Sequence, residues 1–176
     1  EPEEVHHVVH TSLLLAAGLG VVISALGFIF APQLLEWMDT PDNVIRSSAL
    51  YIRIIFLGIP ASMLYNYSAA MVRSTGDTKH PLIFLTIAGI INVVLNIVLV
   101  AGFHMGVAGV AIATVASQVV SAVMILVFMH RSETCLKFSF HALRIDPGKL
   151  KKILLIGIPS GLQGVLFSLS NVIIQS

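Results

Sequence analysis

LIFLTIAGIINVVLNIVLVAGF, residues 82–103, decides the fold. Its 22 positions carry no charged side chain, and a helix of that length reaches about 33 Å, enough to cross a hydrocarbon core of about 30 Å. Its most strongly hydrogen-bonding side chains are Asn92 and Asn96, four residues apart. That spacing is about one helical turn, so both carboxamides leave the same face. Two such groups in so apolar a run need either partners or a purpose.

The rest of the chain is built the same way. Hydrophobic residues make up 56% of the sequence and charged residues 11%, against roughly a quarter charged in an ordinary soluble domain. The mean hydropathy is +0.93. Four further runs, 13–31, 50–72, 106–129 and 153–174, are also long and apolar enough to span. The chain therefore reads as an all-α polytopic membrane protein with five transmembrane helices. The lone Cys135 excludes an internal disulfide and a cysteine-based metal site. Glu1, Glu3 and Glu4 make the N-terminus acidic, unlike a secretory signal. With no initiator Met and no loop after the last run, the expectation is a piece of a longer protein.

Basic residues orient the spans. The connection 32–43 has no Lys or Arg, 73–81 has Arg73 and Lys79, and 103–106 has none. The long connection 130–152 has Arg131, Lys137, Arg144, Lys149, Lys151 and Lys152. This alternation predicts that 73–81 and 130–152 are cytoplasmic. Asp42 with Asn43, and Asp146 before Pro147, are cap signals for the second and fifth helices. Gly76-Asp77 marks a turn. Pro60 and Pro159 lie inside spans and are hinge candidates. Each closes a Gly-Ile-Pro triplet, 58–60 and 157–159, a hint of an internal repeat. Arg46 sits at the mouth of the second span. Arg53, two turns further in, is read as snorkelling outward past Tyr51, the alternative being a functional charge within the span.

The short connection 103–106 makes the third and fourth helices antiparallel neighbours. Counting inward at about 1.5 Å per residue, Asn96 matches Thr114 in depth and Asn92 matches Gln118. The two polar faces are expected to meet, or to share a cavity. Gly109, Ala113, Ser117 and Ser121 form a small-residue stripe that permits close helix approach, with the two serines as interhelical glue. For Asn92, Asn96, Thr114 and Gln118, spacing alone leaves two readings open. They are glue of the same kind, or they coordinate a cation or line a wet cavity.

Other motifs carry less. His6, His7 and His10 have metal-like spacing but lack the HExxH carboxylate, and no metal site is assigned. No phosphate loop or nucleophile–base set is legible, and nothing indicates nucleic acid. The chain is read as not an enzyme and as needing no cofactor. The 130–152 connection is expected to touch anionic lipid headgroups.

MVRSTGDTKHP (71–81), INVVLNIVLV (91–100), GVAGVAIATVASQ (106–118) and GIPSGLQ (157–163) together resemble the multidrug and toxic compound extrusion (MATE) transporters. The resemblance rests on Arg73, Gly76, Asp77 and Pro81, and on Gly106, Gly109, Ala111, Ala113 and Thr114. It implies part of a two-lobed, twelve-helix fold, with the five spans as helices three to seven. Residues 1–129 would be an incomplete N-terminal lobe, 130–152 a cytoplasmic linker, and 153–176 the first helix of the second lobe. In the prokaryotic branch a first-lobe cation or proton site combines an Asp on helix one with Asn, Asp and Thr on helices five and six. Asn92 and Thr114 match that Asn and Thr. Asn96 stands where the family has Asp, and a carboxamide does not titrate. Any acid would have to come from the first helix, and Na⁺ coordination by neutral oxygens stays open.

The resemblance implies a secondary antiporter that exports drugs or other organic cations by alternating access, coupled to Na⁺ or H⁺, in a bacterial cytoplasmic membrane. Its partners would be a small organic substrate, the coupling cation, membrane lipids and the remainder of the transporter chain. Two rivals are a lipid-linked oligosaccharide or cell-wall precursor flippase of the same superfamily, and a non-transporting membrane scaffold.

Overall fold

The computed structural model describes residues 2–37, 42–132 and 146–175 of the chain. They form five long helices: α1 (Pro2–Trp37), α2 (Asp42–Ser74), α3 (Lys79–Asn96), α4 (Gly106–Arg131) and α5 (Pro147–Gln175). Each contains a stretch long and apolar enough to cross a membrane. Their outward faces stay apolar, with Ile90 61% and Leu155 71% exposed. That surface is stable only where lipid replaces water.

Helix α1 runs straight through Pro32 to Trp37. A connection beginning at residue 32 is therefore corrected to one beginning after Trp37. The proline removes one helical hydrogen bond, but ending the helix there would strip partners from several more backbone groups. At its other end α1 begins at Pro2, so the acidic N-terminal stretch is helical.

In space α2 packs on α1 and α4, and α3 packs on α4. Helix α3 meets α2 mainly near its start, where the Tyr65 hydroxyl donates to the Pro81 carbonyl at 2.7 Å. The core at the Arg73–Lys79 end joins Val9 and Leu13 of α1, Tyr65, Ala69 and Val72 of α2, and Ala122, Ile125 and Met129 of α4. Glycines set how closely the helices approach. A Cβ at Gly20 would lie 2.7 Å from the Pro60 Cα, and one at Gly27 would enter the Phe56 ring.

Turn chemistry holds the ends. Gly76 takes φ +90°, which a side chain disfavours. Asp77 Oδ1 then accepts from the Lys79 and His80 amides at 3.1 and 3.2 Å, capping α3. The His80 ring stacks on Phe128 with centroids 4.5 Å apart, tying this turn to α4. Asp146 Oδ1 caps α5 in the same way, accepting from Gly148 and Lys149 at 2.8 and 3.1 Å. The Asp146 amide donates to the Thr11 hydroxyl at 3.2 Å, and α5 also packs on α1. The side chains of Asp42 and Asn43, and residues 133–145 with Lys137 and Arg144, lie outside what the structure describes.

The span opening this account is not uniform. After Asn96 the α-helix widens into a π segment, Ile97–Gly102. The Phe103 amide reaches back five residues to the Val98 carbonyl at 3.0 Å. His104 and Gly106 then take φ of 55° and 56° to turn the chain into α4.

Candidate polar site between the third and fourth helices

Small side chains make room for the site. Gly109, Ala113, Ser117 and Ser121 are all buried, one turn apart along α4. A Cβ at Gly109 would lie 3.2 Å from the Leu99 Cβ, so the π segment rides close over α4. Toward the middle of the pair, the interface opens into a cavity of about 360 Å³. Asn92 of α3 and Thr114, Ser117, Gln118 and Ser121 of α4 line it, with Leu85, Ala88 and Gly89.

Hydrogen bonds run through it in sequence. Asn96 Nδ2 donates to the backbone and side-chain oxygens of Asn92, each at 3.0 Å. Asn92 Nδ2 donates to Ser117 Oγ at 3.4 Å. Ser117 Oγ donates to the Thr114 carbonyl at 2.8 Å, and Thr114 Oγ1 to the Val110 carbonyl at 2.9 Å. Four hydroxyl or carboxamide groups thus donate to neighbours, so the two hydroxyls present oxygen lone pairs and the carboxamides keep both oxygen and remaining N–H groups.

Gln118 differs from the others. Its Oε1 is buried with no hydrogen-bond partner. It presses against α2, where a Cβ at Gly58 would lie 2.5 Å away. The glycine of the first Gly-Ile-Pro triplet therefore admits this amide, while Pro60 of the same triplet packs on Gly20.

Of the four residues expected at a site, the structure brings Asn92, Thr114 and Gln118 to one cavity. Asn96 sits one turn away and reaches it through Asn92. Asn92 and Gln118, matched in depth, line the same cavity, while the direct hydrogen bond of Asn92 across the interface goes to the adjacent Ser117 and the hydroxyl of Thr114 turns back to its own helix. Ser117, read as glue, is both glue and lining. The signal that could have found Gly58 was the triplet itself. Of the histidines at metal-like spacing, His10 is buried and His7 exposed, and the side chain of His6 lies outside what the structure describes. Among the described residues no group of three metal-ligating side chains forms.

Five long apolar helices, two of which share a cavity lined by carboxamides and hydroxyls, define a multi-pass helical membrane protein. The family model described as MatE matches residues 1–98, and the chain belongs to that family. It is 34% identical over 181 residues to the "Probable multidrug resistance protein YoeA" of Bacillus subtilis (strain 168), covering 99% of this chain and 39% of that protein. It is 31% identical to the "Probable multidrug resistance protein YpnP" of the same organism, covering 88% of this chain and 34% of that one. Among solved structures it resembles an inward-facing multidrug resistance MATE family transporter of the MOP superfamily, with TM-score 0.80 at 25% identity over 89% of this chain and 36% of that one. The chain spans about two fifths of the curated relatives it matches.

Proposed function

We propose that this chain is part of a secondary active transporter that exports amphipathic organic compounds across a bacterial cytoplasmic membrane by alternating access. The resistance proteins to which it is similar support the substrate class. In this reading α1–α4 belong to one lobe, α5 opens the second, and the basic connections 73–81 and 130–152 face the cytoplasm. Pro60 and Pro159, each inside an unbroken helix, are the points that flex.

The observation carrying the coupling reading is that Gln118, which lines the cavity with Asn92, Thr114 and Ser117, holds a buried Oε1 with no hydrogen-bond partner. A buried carbonyl without a donor is held at a cost unless a ligand uses it. Neutral oxygens suit a hard cation, and none of them can carry a proton at neutral pH. We therefore favour Na⁺ over H⁺ at this cavity, with Asn92, Thr114 and Gln118 as direct oxygen ligands. Asn96 orients Asn92.

The test is efflux of an organic cation from liposomes holding the full-length protein, driven by a Na⁺ gradient or a pH gradient alone. Na⁺-driven efflux that falls at least tenfold in both Asn92→Ala and Gln118→Ala supports the reading. Efflux driven only by the pH gradient, and indifferent to both substitutions, refutes it.

A further inference from the structure

A second orphan polar atom lies elsewhere, at the end of the bundle away from the Arg73–Lys79 turn. Arg53 Nε is buried with no hydrogen-bond partner, and the guanidinium carbon sits 5.4 Å above the ring centroid of Phe28 on α1. A ring face attracts the cation but leaves the in-plane N–H groups without acceptors. Among the described residues, Arg53 forms no salt bridge.

Its neighbours along one face of α2 are exposed among the described residues. Arg46, Leu50, Arg53 and Leu57 follow one another at intervals of four, three and four residues, so they form one stripe on α2. Arg46 is exposed, Leu50 and Leu57 are 50% and 57% exposed, and Phe28 is 41% exposed. The stripe therefore alternates two guanidiniums with two open aliphatic side chains. Arg53 is the fourth residue of the apolar run 50–72, about 5 Å inside its boundary, and Arg46 lies about 10 Å nearer the helix start. Phosphate oxygens of a lipid lie at that boundary, within reach of an arginine that extends toward the interface.

We propose that Arg53, braced on Phe28, binds the phosphate of an anionic phospholipid in the leaflet farther from the Arg73–Lys79 turn. Arg46 adds a second positive charge at headgroup level, and an acyl chain descends along Leu57. The planar guanidinium fork matches two phosphate oxygens, which an ammonium does not. Two like charges on one stripe favour a headgroup with net negative charge over a zwitterionic one.

The probe is phosphatidylglycerol competing with phosphatidylcholine of the same chain length. The full-length protein is released from mixed nanodiscs and its retained lipids are counted by native mass spectrometry. Wild type should retain phosphatidylglycerol preferentially, and Arg53→Gln should lose roughly tenfold of that preference, as expected for a charge-assisted hydrogen bond. Arg53→Lys keeps the charge without the fork and should fall between. In wild type, a photoreactive phosphatidylglycerol should label the segment 44–60. Equal retention of the two lipids by wild type, or labelling that spares 44–60, overturns the proposal without any variant. Wild-type preference persisting in Arg53→Gln overturns it too, and would mean that a carboxylate elsewhere in the full-length protein satisfies this arginine.

Discussion

Gly58→Ala places a single methyl group where α2 meets Gln118 of α4. Its Cβ would lie 2.5 Å from Gln118 Oε1 and 2.9 Å from Val115 Cγ2, where ordinary contact begins near 3.4 Å. The amide can swing into the cavity, because it is the far end of a flexible side chain. Val115 cannot give so readily, since a β-branched residue in a helix has one strongly preferred rotamer. Either it leaves that rotamer or the two helices part by about half an ångström. Overpacking of this kind costs about 1–3 kcal/mol. Gly18→Ala supplies a control of opposite sign, because nothing lies within 4 Å of a Cβ there. It should gain up to about 1 kcal/mol from helix propensity. The assay is reversible unfolding of the full-length protein in mixed micelles. Adding Val115→Ala should restore more stability in the Gly58→Ala background than its own cavity costs, a coupling of about 1 kcal/mol. If Gly58→Ala is as stable as Gly18→Ala, and uncoupled from position 115, the packing argument for this site is wrong.

Cysteines replacing Asn92 and Ser117, whose side chains touch, should crosslink efficiently, and those replacing Asn96 and Thr114 should not; the reverse pattern, read by gel shift after oxidation, would reject the register. Tyr65→Phe removes the hydrogen bond to the Pro81 carbonyl and should cost about 1 kcal/mol, with faster hydrogen exchange at the start of α3. The Asp77 carboxyl is held below the ordinary range, first by the His80 amide and then by the His80 ring and the Lys79 amide. A depressed folded pKa stabilises above the unfolded value of about 4, and that stabilisation is lost as pH falls from there through the folded value. Asp77→Ala should therefore lower the thermal midpoint at pH 7, with the difference shrinking as the pH falls below the unfolded value; a pH-independent difference would contradict the capping role.

Much of this arrangement was legible because lipid simplifies the reading. Apolar runs of spanning length could be little else than helices, Asp146 announced its capping role through the proline after it, and Gly76-Asp77 announced a turn, though not that Asp77 caps α3. That Asn92, Thr114 and Gln118 share a cavity followed from helical spacing and a short turn. What escaped the sequence depends on where neighbouring helices press. Pro32 suggests an end, yet the chain continues to Trp37. Ser117 could not be told from glue until the crossing of α3 over α4 was known. Gly58 and Gly20 look alike as residues, but one admits a side chain and the other a backbone.

The π segment Ile97–Gly102 bears on how this chain should be compared with its relatives. A turn closed over five residues instead of four is what a helix forms when it accommodates one inserted residue. Losing one residue within 97–102 would let the segment relax to α-helix, leaving Asn92 opposite Ser117. Losing one between Asn92 and the π segment would be absorbed the same way, but would remove or move Asn96. Losing one between Lys79 and Asn92 has no such slack, and would rotate Asn92 by about 100° relative to the helix start that Asp77 and His80 anchor. Relatives differing by one residue here are thus expected to carry the gap after the asparagines, and alignments that place it before them would pair the wrong side chains with the cavity.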